Sequence, residues 1–194
     1  MPQSSIAALA AAARSGQLIG FPTDTVPGLA TAPEAAAAIY AAKQRTLEKP
    51  LILMAATAAE LWPFVQGSPE VQNIWQAVAA QHWPGALTLV LPASDRLPAA
   101  VNPTNPTTIG LRVPNWPLTR QILEQTGPLA TTSLNRSGQE PLENLEAIAA
   151  EFPSVLTPTA DDWVLPHSKD RQPSTVVQWV NQSWLILRQG AVRL

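Results

Sequence analysis

Residues 22–29 read Pro22-Thr23-Asp24-Thr25-Val26-Pro27-Gly28-Leu29, and a little downstream stand Lys43-Gln44-Arg45. The first segment is a turn bearing two hydroxyls and a carboxylate. It follows an apolar stretch and closes on a glycine. The second sets two cations close together at the expected end of a helix. Small polar groups suit a polar metabolite, and neighbouring cations suit phosphate, so the pair points to nucleotide chemistry. Only 13% of the residues are charged, which makes the placement of each cation informative.

Further groups of the same kind recur in the loops that adjoin the expected strands. Lys43, Arg45 and Lys49 precede the strand expected at 51–54, and Arg112 ends the one expected at 107–113. Thr131-Thr132-Ser133-Leu134-Asn135-Arg136-Ser137-Gly138 follows, then Ser174-Thr175, then Arg188. Ligands of α/β sheets collect at such loops, beyond the strand ends. Taken singly, each group has a bland reading. A strand-end Arg is a solvated charge, a Ser/Thr loop satisfies its own backbone, and Lys43 with Arg45 complements a helix dipole.

The elements that position these loops alternate. Ser4 or Ser5 can cap a helix to about residue 14, with Gly16 as its stop. Residues 17–21 form a short buried strand, and Pro33 starts a helix running to about Lys43. Thr57 and Ser68 are expected to cap further helices, the second with Pro69 in its first position. Residues 87–91, 107–113 and 129–133 read as strands, Asn115 as the cap of a helix ending near Gly127, and Asn144 as the cap of a short one. Residues 175–180 and 183–187 read as a hairpin around Asn181-Gln182. The alternation predicts an α/β domain, and the hairpin makes the sheet mixed parallel and antiparallel.

Composition narrows the function. A chain of 194 residues fits one domain, residues 1–194, with a proper core. No apolar run is long enough to span a bilayer, the start reads as an alanine-rich helix instead of a signal peptide, and a cytoplasmic location is expected. The absence of cysteine removes disulfides, thiolate nucleophiles and Cys-based metal sites. His82 and His167 lack partners at ligand spacing, so a zinc site is not expected and both read as structural or exposed. A net charge of −2 argues against a surface coated with nucleic acid. Neither a P-loop nor a Gly-x-Gly-x-x-Gly turn is present. The seven tryptophans read as packing rather than base-stacking platforms.

In this order the segments resemble the YrdC/TsaC family of threonylcarbamoyl-AMP synthases over nearly the whole chain. Pro22 to Leu29 is similar to the family's Pro-Thr-Asp/Glu-Thr-x-x-Gly-Leu, Lys43 to Arg45 to its Lys-x-Arg, and Pro84-Gly85-Ala86-Leu87-Thr88 to its Pro-Gly-x-x-Thr. Arg112-Val113-Pro114, Ser133 to Gly138, Ser174 to Val177 and Arg188 to Gly190 are similar to four more of its signatures. Pro27 replaces a usual aromatic residue, Thr46 a proline, and Leu134 an alanine. The chain resembles the short form of the family, which lacks an additional C-terminal domain.

The resemblance implies a YrdC-like fold with a twisted mixed sheet, flanking helices and a concave, positively charged site. It implies an enzyme that joins L-threonine, bicarbonate and ATP into threonylcarbamoyl-AMP with release of pyrophosphate, for modification of tRNA. It assigns Lys43 and Arg45 to catalysis, and Arg45, Lys49, Thr108, Ser133 and Arg188 to ATP. Thr25, Met54, Arg112, Thr131 and Ser174 fall to threonine, with Arg112 pairing the carboxylate. Mg²⁺ would be held mainly by the ATP phosphates, with no protein metal site. Asn135 is expected to brace its loop. Separate tRNA threonylcarbamoyl-transfer proteins are implied partners, with RNA as a further one. An RNA-binding module, a carbamoyl-adenylate enzyme of the hydrogenase-maturation type and an inactive paralogue remain alternatives.

Overall fold

Caps and turn residues cut the chain where their chemistry requires. In the computed structural model, which describes residues 4–166 and 172–193, Ser5 caps α1 (Ile6–Arg14), its hydroxyl accepting from Ala8 N at 3.3 Å. Gly16 at φ +85° turns the chain into β1 (Ile19–Phe21). β2 (Gly28–Thr31) follows, then a 3₁₀ turn (Pro33–Ala35) leading into α2 (Ala37–Lys43). β3 (Ile52–Met54) precedes α3 (Pro69–His82), which has Ser68 as its cap and Pro69 in its first turn. Next come β4 (Leu87–Pro92), β5 (Thr108–Arg112), α4 (Pro117–Thr126) and β6 (Leu129–Ser133). Asn144 caps α5 (Leu145–Glu151), accepting from Ala147 N at 2.8 Å. β7 (Thr175–Val180) and β8 (Ser183–Arg188) form the expected hairpin, with Asn181 and Gln182 both at positive φ, as a two-residue mirror-image turn demands. His167 lies outside the described residues.

Three local expectations change. The opening motif does not simply end on Gly28: that residue begins β2, a fully buried strand. Thr57 does form a reciprocal cap with Glu60, but only short 3₁₀ turns follow, Ala58–Glu60 and Trp62–Phe64. Pro63 has no N–H with which to continue a helix. α4 starts one residue later than Asn115 would require, with Trp116 at its cap position and no side-chain cap bond.

The eight strands form one mixed sheet in the order β1-β2-β6-β3-β5-β4-β7-β8. β3 runs parallel to β5, and β4 to β7; the other neighbours are antiparallel. Side chains alternate between faces along each strand, so two environments arise. On one face Leu53, Leu87, Leu89, Leu91, Leu111 and Val177 are buried in a core with residues of α2, α3 and α5. On the other, Phe21, Ala30, Met54 and Leu129 pack with α1 and α4. That second layer covers only part of its face. Among the described residues, no helix is long and apolar enough to cross a membrane.

Candidate active site

The uncovered part of the second face is the floor of a cleft of about 630 Å³. Register explains its composition. Gln178, Val90, Gly110, Ile52 and Thr131 are successive partners across five strands and therefore share one face. All five line the cleft. Thr88, Thr108, Arg112, Met54, Ser133 and Val176 belong to the same face by the two-residue period and line it too. Gly110 lies at the centre, where a Cβ would come within 2.7 Å of Ile52 Cγ2. The floor is flat there because only hydrogen fits.

Arg112 anchors one end. Its Nε donates to Gly85 O at 3.0 Å, Nη1 to Thr25 Oγ1 at 2.8 Å and Nη2 to Asp24 Oδ1 at 2.6 Å. Arg112 is 3% exposed and Asp24 13%. Burial lowers the Arg112 pKa and the Asp24 charge opposes that shift; a guanidinium so placed stays cationic. Three of its five N–H donors are engaged, and each Nη keeps one for a ligand carboxylate. The turn that presents Thr25 is self-braced: Thr23 Oγ1 donates to Val26 O at 2.7 Å and accepts from Thr25 N at 3.0 Å. α4 holds the same turn through Thr119, whose hydroxyl donates to Pro22 O. Beside it the Ser174 and Thr88 hydroxyls are 2.9 Å apart, and Arg188 Nη2 donates to Ser174 O at 2.8 Å.

Arg45 stands elsewhere on the rim, its Nε donating to Lys49 O at 2.9 Å and Nη2 to Pro50 O at 3.1 Å. Burial lowers the pKa of Arg45, as it does that of Arg188. Arg45, Arg112 and Arg188 are the cations lining the cleft among the described residues, with Glu140 the one acid.

Two cations of the sequence set lie off this lining. Lys49 is exposed, and it is its backbone carbonyl that orients Arg45. Lys43 is 1% exposed and sits behind the wall, its Nζ donating to Ser133 O and, at 2.9 Å, to Asn135 Oδ1. Burial and then the nearby Arg45 bring the Lys43 pKa down to about 7. Asn135 also donates to Arg136 O at 2.9 Å, so it braces its loop while lining the cleft.

Thr25, Met54, Arg112, Thr131, Ser174, Arg45, Thr108, Ser133 and Arg188 all line the one cleft. Sequence reasoning assigned no role to Thr88, Asn102, Gln178 or Glu140, which line it as well, nor to Asp24, which holds Arg112. Thr88 and Asp24 had signals, the Pro-Gly-x-x-Thr segment and the opening turn; the others had none that spacing could expose. The seven tryptophans are absent from the lining. Trp62 stacks on Trp83 with ring centroids 5.8 Å apart, and Trp179 meets Trp75 and Trp184 edge-on.

A mixed sheet with helices against both faces, holding on its open surface a cleft of hydroxyls and arginines, defines a class of α/β domain built for a small polar and anionic ligand. Residues 11–190 match the family model described as "Telomere recombination" (Sua5/YciO/YrdC), and the chain belongs to that family. It is 35% identical over 144 residues to the threonylcarbamoyl-AMP synthase of Yersinia enterocolitica, covering 72% of this chain and 75% of that one. With the enzyme of that name from Serratia proteamaculans the identity is 37%, over 70% and 73% of the two chains. The crystal structure of P. abyssi Sua5 complexed with L-threonine superposes with a TM-score of 0.82 at 28% identity, covering 95% of this chain. The match spans 54% of the P. abyssi chain, about half its length. E. coli YciO shares the fold, with a TM-score of 0.78, 23% identity and coverage of 97% and 92% of the two chains.

Proposed function

We propose that the protein is an L-threonylcarbamoyladenylate synthase, a nucleotidyltransferase acting on ATP, L-threonine and bicarbonate. The observation that carries this is the convergence of Arg112, Thr25, Ser174 and Thr131 with Arg45, Thr108, Ser133 and Arg188 on one cleft. Its volume lies in the range of sites that enclose small metabolites.

In this reading the amino nitrogen of threonine and bicarbonate form a carbamate with loss of water. A carbamate oxygen then attacks the α-phosphorus of ATP in line, and the bond to the β-phosphate oxygen breaks, releasing pyrophosphate. The side chains need form no covalent bond; they position the reactants and offset phosphate charge. Arg112 would take the threonine carboxylate on its two remaining N–H groups, a bidentate geometry. The hydroxyls of Thr25, Ser174 and Thr131 would meet the rest of the amino acid, with Met54 against its methyl group. Arg45 and Arg188 would hold phosphate oxygens, and Lys43 would add charge through the Ser133–Asn135 loop. Lys49 would have to reach in from outside the lining residues. Among the described residues no group of three or more His, Asp or Glu is placed to hold a metal ion, and Mg²⁺ would be carried by the triphosphate oxygens, neutralising part of their charge.

The product would pass to separate transfer proteins for threonylcarbamoyladenosine (t6A) formation at position 37 of tRNAs that read codons beginning with A. The homologues' names support the synthase assignment. Mass-spectrometric detection of threonylcarbamoyl-AMP from ATP, threonine and bicarbonate tests it. Product is expected with threonine and much less with valine, which leaves buried hydroxyls unpaired. A severe loss is expected in Arg45→Ala. Well-folded protein that yields no adenylate at high substrate concentrations overturns the assignment.

A further inference from the structure

Asn102 is the one cleft-lining side chain among the described residues that combines near-complete burial with an unpartnered polar atom. It is 2% exposed, follows the 3₁₀ turn Ala99–Val101, and its Nδ2 donates to Thr108 O at 3.0 Å. Its Oδ1 is buried and accepts no hydrogen bond from any of the described residues. The orientation of the amide is fixed by chemistry: the Thr108 carbonyl can only accept, so the NH₂ must face it and the oxygen is left over. The backbone is fixed as well, because Val101 O accepts from Leu51 N at 3.2 Å and from Tyr40 OH at 3.0 Å. A buried acceptor left unpaired weakens the free protein, and a ligand that brings a donor removes the penalty.

The donor must come from whatever occupies this end of the cleft. Thr108 and Arg112 are the two ends of β5, and at ~3.3 Å per residue they stand about 13 Å apart. An amino acid with its carboxylate on Arg112 cannot span that distance, so on the synthase reading above the occupant is the nucleotide. The lining also includes Pro50, Ile52 and Val90, apolar side chains suited to a flat ring. We propose that Asn102 reads the nucleobase, its Oδ1 accepting from the exocyclic 6-amino group of adenine. Guanine would set its O6, an acceptor, against the same oxygen and be rejected.

Nucleotide binding to the full chain, measured calorimetrically with Mg²⁺ and without threonine or bicarbonate, separates this proposal from turnover. The probes are ATP, purine-riboside triphosphate (hydrogen at C6), inosine triphosphate, 2′-deoxy-ATP and 3′-deoxy-ATP. Wild type should bind ATP about ten- to a hundredfold more tightly than purine-riboside triphosphate. Inosine triphosphate should bind no better than that analogue, and the deoxy sugars should bind as ATP does. In Asn102→Leu the ratio of ATP to purine-riboside triphosphate should fall to near one; if that variant does not fold, the wild-type series alone decides. Equal binding of ATP and purine-riboside triphosphate overturns the proposal, as does a loss confined to a deoxy sugar, which would make the donor a ribose hydroxyl. ATP discrimination without adenylate formation would leave the base reading standing and remove the synthase reading, whereas binding of no nucleotide removes both.

Discussion

Removing the Arg112 guanidinium should damage the molecule more than any other single change in the cleft. Arg112→Met keeps the reach of the side chain but deletes three hydrogen bonds, to Gly85 O, Thr25 Oγ1 and Asp24 Oδ1. Asp24, 13% exposed, is left without its cation. Breaking a buried pair from one side costs about 3–5 kcal/mol, a large share of the ~5–15 kcal/mol that holds a typical domain. At about 2–4 °C per kcal/mol for a chain of this size, the melting temperature should fall by about 6–20 °C. Asp24→Asn should cost less, about 1–3 kcal/mol, because the amide oxygen can still accept from Nη2. The double variant should cost less than the sum of the two, by about 1 kcal/mol or more, since each single change removes the same ion pairing. Urea unfolding of all four proteins at pH 7, followed by tryptophan fluorescence, gives the cycle. The reasoning is refuted if Arg112→Met lies within about 1 kcal/mol of wild type, or if the two substitutions add.

Lys43 gives a pH signature. Its folded pKa, about 7, lies below the ordinary 10.5, so between those values the unfolded chain binds more protons than the native one. Stability should therefore rise with pH across that window, by up to about 1.4 kcal/mol per unit, from a penalty fully present below pH 7. Lys43→Met should flatten the slope in urea unfolding between pH 7 and 9.5, and equal slopes would show that the ammonium is not desolvated. Gly190→Ala should dislodge the Ser174 segment, because a Cβ at Gly190 would fall 2.1 Å from Pro173 O, a backbone atom that cannot swing aside. Threonine affinity measured by calorimetry should drop at least tenfold, and an unchanged affinity would mean that Ser174 does not contribute.

The caps and strands were legible because single residues announce them. Ser5, Ser68 and Asn144 each bond the backbone as their positions suggest, and the burial of β4 matches its largely apolar run. β2 was not legible, since four residues opening on a glycine beside a turn motif have no period to detect. The motifs supplied all three arginines of the lining, but not its pairings. Asp24 meets Arg112 only because β5 ends beside the opening turn, a fact of sheet order and not of spacing. Lys43 illustrates the converse: its charge and position in the sequence are plain, yet its burial behind the Ser133–Asn135 loop depends on where α2 ends against β6. Asn102 lies in a polar loop that nothing distinguishes until its neighbours are known.

Sheet order has one more effect. Several side-chain bonds that shape the cleft join residues far apart in sequence, 87 and 88 positions apart at Arg112, 86 at Ser174 and 92 at Lys43. No short stretch of the chain contains these pairs. A ligand bound there can recognise only the completed topology, and by mass action it stabilises that state alone. Ligand affinity thus doubles as a census of native molecules: substrate titration of a variant reports the fraction folded before it reports anything about chemistry.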